Sequence, residues 1–74
     1  MKTLNPHKII KKVASDFGVS VEDIVGHNKR SHLVIARKEA AKRMDKAGFK
    51  VSDIAFYLKK NVNNIRYYFN ETHK

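Results

Sequence analysis

Residues 51–69 read VSDIAFYLKKNVNNIRYYF. Val51, Ile54, Ala55 and Leu58 recur three and four residues apart, the spacing that places them on one side of an α-helix. After Lys59-Lys60-Asn61 the same period resumes with Val62, Ile65, Tyr68 and Phe69. Asn61 is of the residue type that caps a helix start. Two short amphipathic helices joined by about three residues form a helix-turn-helix over about residues 51–70. Ala55 is small enough for the two helices to cross closely, and Ile65 and Tyr68 pin the second against the first. Asn63, Asn64, Arg66 and Tyr67 then face outward. An asparagine amide offers one donor and one acceptor, which match the adenine edge in the major groove, and arginine suits guanine or phosphate. The start of the second helix also favours a phosphate. Asparagine is a poor interior helix former, so the Asn63-Asn64 pair points to contact with DNA. The alternative is that Asn61, Asn63 and Asn64 are caps and solvated polar groups, and for Asn61 the cap is preferred. Lys59 and Lys60, in the turn, are expected to touch phosphate.

Working outward, the rest of the chain keeps the helical period, and no segment alternates with period two long enough to make a strand. Asn5-Pro6 is a start signal, with Asn as N-cap and Pro at the first helical position. Ile9, Ile10, Val13, Ala14 and Phe17 share one face of the helix that follows, and Gly18 ends it. Ser20 opens a short second helix with Asp23 three residues on, a capping-box pattern, and Gly26 closes it. The polar, basic run His27-Asn28-Lys29-Arg30-Ser31-His32 reads as a loop with Ser31 as N-cap. A longer helix carries Leu33, Ala36, Ala40, Met44 and Ala47 on its buried side, with Lys38, Lys42 and Lys46 on another face. Gly48 ends it. The expected fold is therefore all-α, a compact five-helix bundle with helices at about 6–17, 20–25, 32–47, 51–58 and 62–70, in a single domain spanning residues 1–74.

Composition supports a folded, basic module. The 74 residues are 42% hydrophobic and contain no cysteine, so a small core of packed helices must carry the fold without disulfides or thiolate metal ligands. Sixteen Lys and Arg face seven Asp and Glu, giving a formal charge of +9. That much self-repulsion is relieved by a polyanion. No apolar run has the length of a membrane span and nothing resembles a signal peptide, so a cytoplasmic, nucleoid-associated location without a membrane partner is expected.

Catalytic and metal chemistry find no footing. His7, His27, His32 and His73 are scattered, without ligand spacing backed by carboxylates. Glu22 and Asp23 are adjacent and point different ways on a helix, so they are no catalytic pair. Ser15, Ser20, Ser31 and Ser52 lack a base in any recognisable arrangement. Tyr57, Tyr67 and Tyr68 have the chemistry to stack on unpaired bases, although aromatics at helical spacing are more often core. The expectation is a non-enzyme with no cofactor, no metal and no small-molecule substrate.

The order of certain short stretches is more specific than any one of them. They are Val13-Ala14, Phe17-Gly18-Val19-Ser20-Val21, Asp23-Ile24-Val25-Gly26, Lys29-Arg30, Ala36-Arg37 with Ala40, and Gly48 with Asp53-Ile54-Ala55. From about Val13 to Phe69 the chain resembles the C-terminal DNA-binding domain of the bacterial replication initiator DnaA, closest to the shortened versions in phage- or mobile-element-type proteins. The resemblance implies a Trp-repressor-like helix-turn-helix fold and two DNA contacts. One is a basic loop reaching the minor groove, matched by Lys29 and Arg30, with Arg37 where the family often has arginine at the start of the long helix. The other is a recognition helix. The family's Gly-Gly-Arg-Asp-His-Thr-Thr-Val-like signature is matched by Lys59-Lys60-Asn61-Val62-Asn63-Asn64-Ile65. Lys60 takes the arginine place, Asn61 the aspartate, Val62 the histidine, Asn63 and Asn64 the threonines, and a lysine replaces a turn glycine. With every polar position changed, a different target sequence or weak specificity is implied. No Walker-type glycine loop is present.

The leading expectation is thus duplex DNA binding by a regulator or replication accessory of a phage or mobile element. The DNA-contact set is Lys29, Arg30, Arg37, Lys59, Lys60, Asn61, Asn63, Asn64, Arg66 and Tyr67. A protein-interaction module on the same fold, or RNA binding, is the alternative. A homodimer or protein partner would strengthen a lone helix-turn-helix.

Overall fold

The computed structural model describes residues 5–27 and 29–71, with the backbone alone at Glu71; Asn28 of the expected loop and His73 lie outside the described residues. Five helices follow in order: α1 (Pro6–Phe17), α2 (Val21–Val25), α3 (Ser31–Lys46), α4 (Val51–Leu58) and α5 (Val62–Glu71). No strand occurs among the described residues.

The helix starts follow from local chemistry. The Asn5 side-chain oxygen accepts from the His7 N–H at 2.8 Å, with Pro6 in the first turn. Ser20 and Asp23 form a reciprocal capping box, each side chain accepting from the other's backbone N–H. At α3 the sequence reading is corrected. Arg30, not Ser31, is the N-cap, it makes no side-chain cap bond, and Ser31 is already helical.

Three helices end in one way. Val19 N–H donates to Ala14 O and Gly18 N–H to Ser15 O; Phe49 donates to Met44 and Gly48 to Asp45; Lys60 donates to Ala55 and Lys59 to Phe56. Each is the paired C-terminal bonding of a Schellman motif, which needs a left-handed residue at its pivot. Gly18 has φ 67° and Gly48 φ 101°, but the third pivot is Lys59 at φ 58° and ψ 41°.

Helix α3 is the hub, packed against each of the other four helices. Its small Ala36, Ala40 and Ala41 are fully buried and permit that close approach. Around them lie Ile10, Val13 and Ala14 of α1, Ile24 of α2, Met44 of α3, Ile54, Ala55 and Leu58 of α4, and Ile65 and Tyr68 of α5. Two expectations shift: Phe17 stays 37% exposed at the end of α1, and Ala47 is only half-buried. Arg43 straps α3 to α1 at the surface, reaching Asp16 at 3.1 Å and Glu39 at 2.8 Å, and those two carboxylates hold its pKa above the usual arginine value. No helix among the described residues is long and apolar enough to cross a membrane.

Candidate nucleic-acid interface

Helix α2 has only five residues, so most of its last carbonyls lack helical partners. Two cations from distant parts of the chain meet them. The Arg37 guanidinium donates through Nε to Ile24 O at 2.7 Å and through NH2 to Asp23 O at 2.9 Å and Gly26 O at 3.1 Å. The Lys60 ammonium donates to Val25 O at 3.2 Å, Gly26 O at 2.5 Å and Leu58 O at 3.4 Å. Both satisfy the negative end of the helix. Gly26 is extended at φ −84° and ψ −167°, and its need for glycine is steric: an added Cβ would stand 2.8 Å from the backbone oxygen of Glu22.

This arrangement places two of the expected DNA-contact residues differently from the rest. Arg37 is 2% exposed, so it is an interior cap and not a surface ligand for phosphate. Lys60 directs its ammonium at three backbone oxygens, so in this structure it does not serve as a projecting phosphate hand. Burial first, and the nearby Arg37 charge second, lower its pKa below the ordinary lysine value. A signal for Arg37 was present in the sequence. It lies four residues after Leu33, three before Ala40 and seven before Met44, inside the buried stripe of α3. Nothing local marks Lys60, whose α2 partners lie 34 and 35 residues away.

Asn61 accepts the Asn64 N–H on its side-chain oxygen at 2.9 Å, so that oxygen acts as the helix cap. Asn63, Asn64, Arg66 and Tyr67 all lie on the exposed side of α5, while Ile65 and Tyr68 are buried. Lys59 is exposed at the turn, and Lys29 and Arg30 are exposed in the loop before α3.

Loop and helix are brought together by an open cleft of about 340 Å³, lined by His27, Lys29, Val34, Arg37, Lys60, Asn64, Tyr67 and Tyr68. Of the expected DNA-contact residues it gathers Lys29, Asn64 and Tyr67 at the surface over Arg37 and Lys60. Arg30, Lys59, Asn61, Asn63 and Arg66 are not among its walls. His27 and Val34 were not picked out as site residues from the sequence; an exposed histidine in a polar loop and a valine beside a buried stripe carry no local mark of a site.

No family model, no curated protein and no solved structure matches this chain.

Proposed function

We propose that this chain binds double-stranded DNA, with α5 entering the major groove and the loop at Lys29 and Arg30 lying against the adjoining backbone or minor groove. The observation that carries this reading is the meeting of Lys29 with Asn64 and Tyr67 along one cleft, in a chain of net charge +9. A three-residue turn joins α4 to α5, and the exposed first turn of α5 presents Asn63 and Asn64, where a recognition helix reaches base edges. The resemblance to the DnaA C-terminal domain supports the same surface. Its changed signature, and the inward roles of Arg37 and Lys60, favour a target unlike the initiator's own. A regulator or replication accessory of a mobile element, associated with the nucleoid, fits this reading; catalysis does not enter it. Phe56, 74% exposed beside Tyr57, favours a second reading, a protein-interaction module on the same fold.

Titrating a labelled duplex at several salt concentrations separates the two. Phosphate contacts release counterions, so a DNA binder loses affinity steeply with salt, and changing Lys29 and Arg30 together to Ala should flatten the slope by up to about two units. Selection from a random duplex pool then provides a preferred site. On that site Asn63→Ala and Asn64→Ala should each lose about 1–3 kcal/mol, and much less on random DNA. No duplex binding at low salt would refute the proposal and leave the interaction module.

A further inference from the structure

We propose that the cleft between the Lys29 loop and α5 is a built site for one phosphate group, held by exposed donors above a fixed pair of cations. The inference rests on the DNA-binding reading for its expected source, a backbone phosphodiester, and names where on the surface that phosphate sits.

Three residues lining the cleft, Lys29, Arg37 and Lys60, are cationic, and none of the lining residues is acidic. The α2 C-terminus beneath offers at most about half a negative charge, less for so short a helix. Two full positive charges at that end therefore leave a net positive floor. Those charges are already immobile: Arg37 is 2% exposed and held by three carbonyls, and Lys60 shares one of these, Gly26 O, and is held by two others. An anion arriving above them need not order their side chains, so the usual entropic penalty is reduced. Val34 and Tyr68 on the walls lower the local polarity and strengthen the attraction. Burial first lowers the Lys60 pKa, and the Arg37 charge lowers it further; that second contribution is repulsion an anion would offset. Direct bonds fall to the residues nearer solvent. Lys29 brings an ammonium, Asn64 a side-chain amide, and His27 an imidazole N–H. A volume of about 340 Å³ exceeds one phosphate and leaves room for the sugars on either side of it.

The test uses isotopically labelled full-length protein followed by amide NMR at pH 7. In the first arm sodium phosphate is titrated against sodium chloride at matched ionic strength. Saturable shifts centred on His27, Lys29 and Asn64 are expected with phosphate only, and Lys29→Gln, at an exposed position that leaves the fold intact, should weaken them roughly fivefold. In the second arm a duplex is scanned with neutral methylphosphonate linkages. One position should weaken wild-type binding by about the same factor and leave the Lys29→Gln variant unaffected. Phosphate saturation in the cleft without any duplex binding supports the site with free phosphate as its source, and refutes the DNA reading. Duplex binding that leaves the cleft amides unshifted, together with phosphate shifts no different from chloride, overturns the site and leaves the DNA reading standing. Failure of both arms overturns both.

Discussion

Replacing Lys59 by glycine should make this protein more stable. Lys59 occupies the left-handed pivot of the α4 C-terminus at φ 58° and ψ 41°, the position that Gly18 and Gly48 occupy at the ends of α1 and α3. A Cβ in that conformation costs roughly 1–2 kcal/mol. Glycine removes this strain but gives the unfolded chain more freedom, which returns roughly 0.5–1 kcal/mol to the other side. The net expectation is a gain of about 0.5–1 kcal/mol, or about 2–8 °C in Tm for a domain of this size. Lys59→Ala is the control, because it removes the charge and keeps the Cβ; it should give no such gain. The reciprocal changes Gly18→Ala and Gly48→Ala should each lose roughly 1 kcal/mol. At neither glycine would a Cβ meet another atom within 4 Å, so that loss is conformational rather than steric. Thermal unfolding of the four variants by circular dichroism reads all of this. A Lys59→Gly protein no more stable than Lys59→Ala would refute the reasoning. If Lys59 also touches phosphate, the glycine variant will bind DNA less tightly while melting higher.

Ile54 and Ile65 are fully buried where α4 meets α5, and truncating either to Ala should cost roughly 2–4 kcal/mol through the cavity left behind, measured by denaturant unfolding; a loss below about 0.5 kcal/mol would remove that residue from the core. Arg37→Ala should cost about 3–5 kcal/mol, because the carbonyls of Asp23, Ile24 and Gly26 lose a buried partner; stability near wild type would mean that water replaces the guanidinium without penalty. For Lys60 the folded pKa lies below its unfolded value of about 10.5, so the folded state binds the proton less tightly. Its charge therefore opposes folding in full below the folded value, and stability is regained as pH rises through the alkaline window toward the unfolded value. The denaturant midpoint of wild type minus that of Lys60→Met should accordingly rise as the pH is raised toward the unfolded value of about 10.5, and a flat difference would contradict the burial.

Where one residue and its close neighbours decide a feature, the sequence predicted it well. Asn5-Pro6, Ser20 with Asp23, Gly18 and Gly48 each mark a helix boundary, and the observed helices start or stop there within two residues. Ser31 misled because a serine before an apolar run is the commonest cap, yet α3 starts one residue earlier with no side-chain cap at all. The outward face of α5 was legible because Ile65 and Tyr68 fix its rotation. The cationic floor of the cleft was not. Arg37 and Lys60 look like surface charges until α2 is folded, and only then does its carbonyl end stand where both can reach it. Basic residues around α4 and α5 invite a reading as projecting phosphate hands, but both of these direct their donors at backbone carbonyls instead.

The meeting of two cations on one short helix has a consequence for local unfolding. Five residues are too few to hold a helix by themselves, so α2 persists through the buried Ile24, Arg37 on α3 and Lys60 beside α5. If α2 peels away, its exposed carbonyls and the two released cations must be hydrated together. Opening of α2 should therefore loosen the α4–α5 turn in the same event, and the two should form one cooperative opening unit in native-state hydrogen exchange. The amides of Ile24 and Ile65 should then exchange with a shared opening free energy. Lys60→Met should separate them, leaving α2 to fray while α5 stays protected.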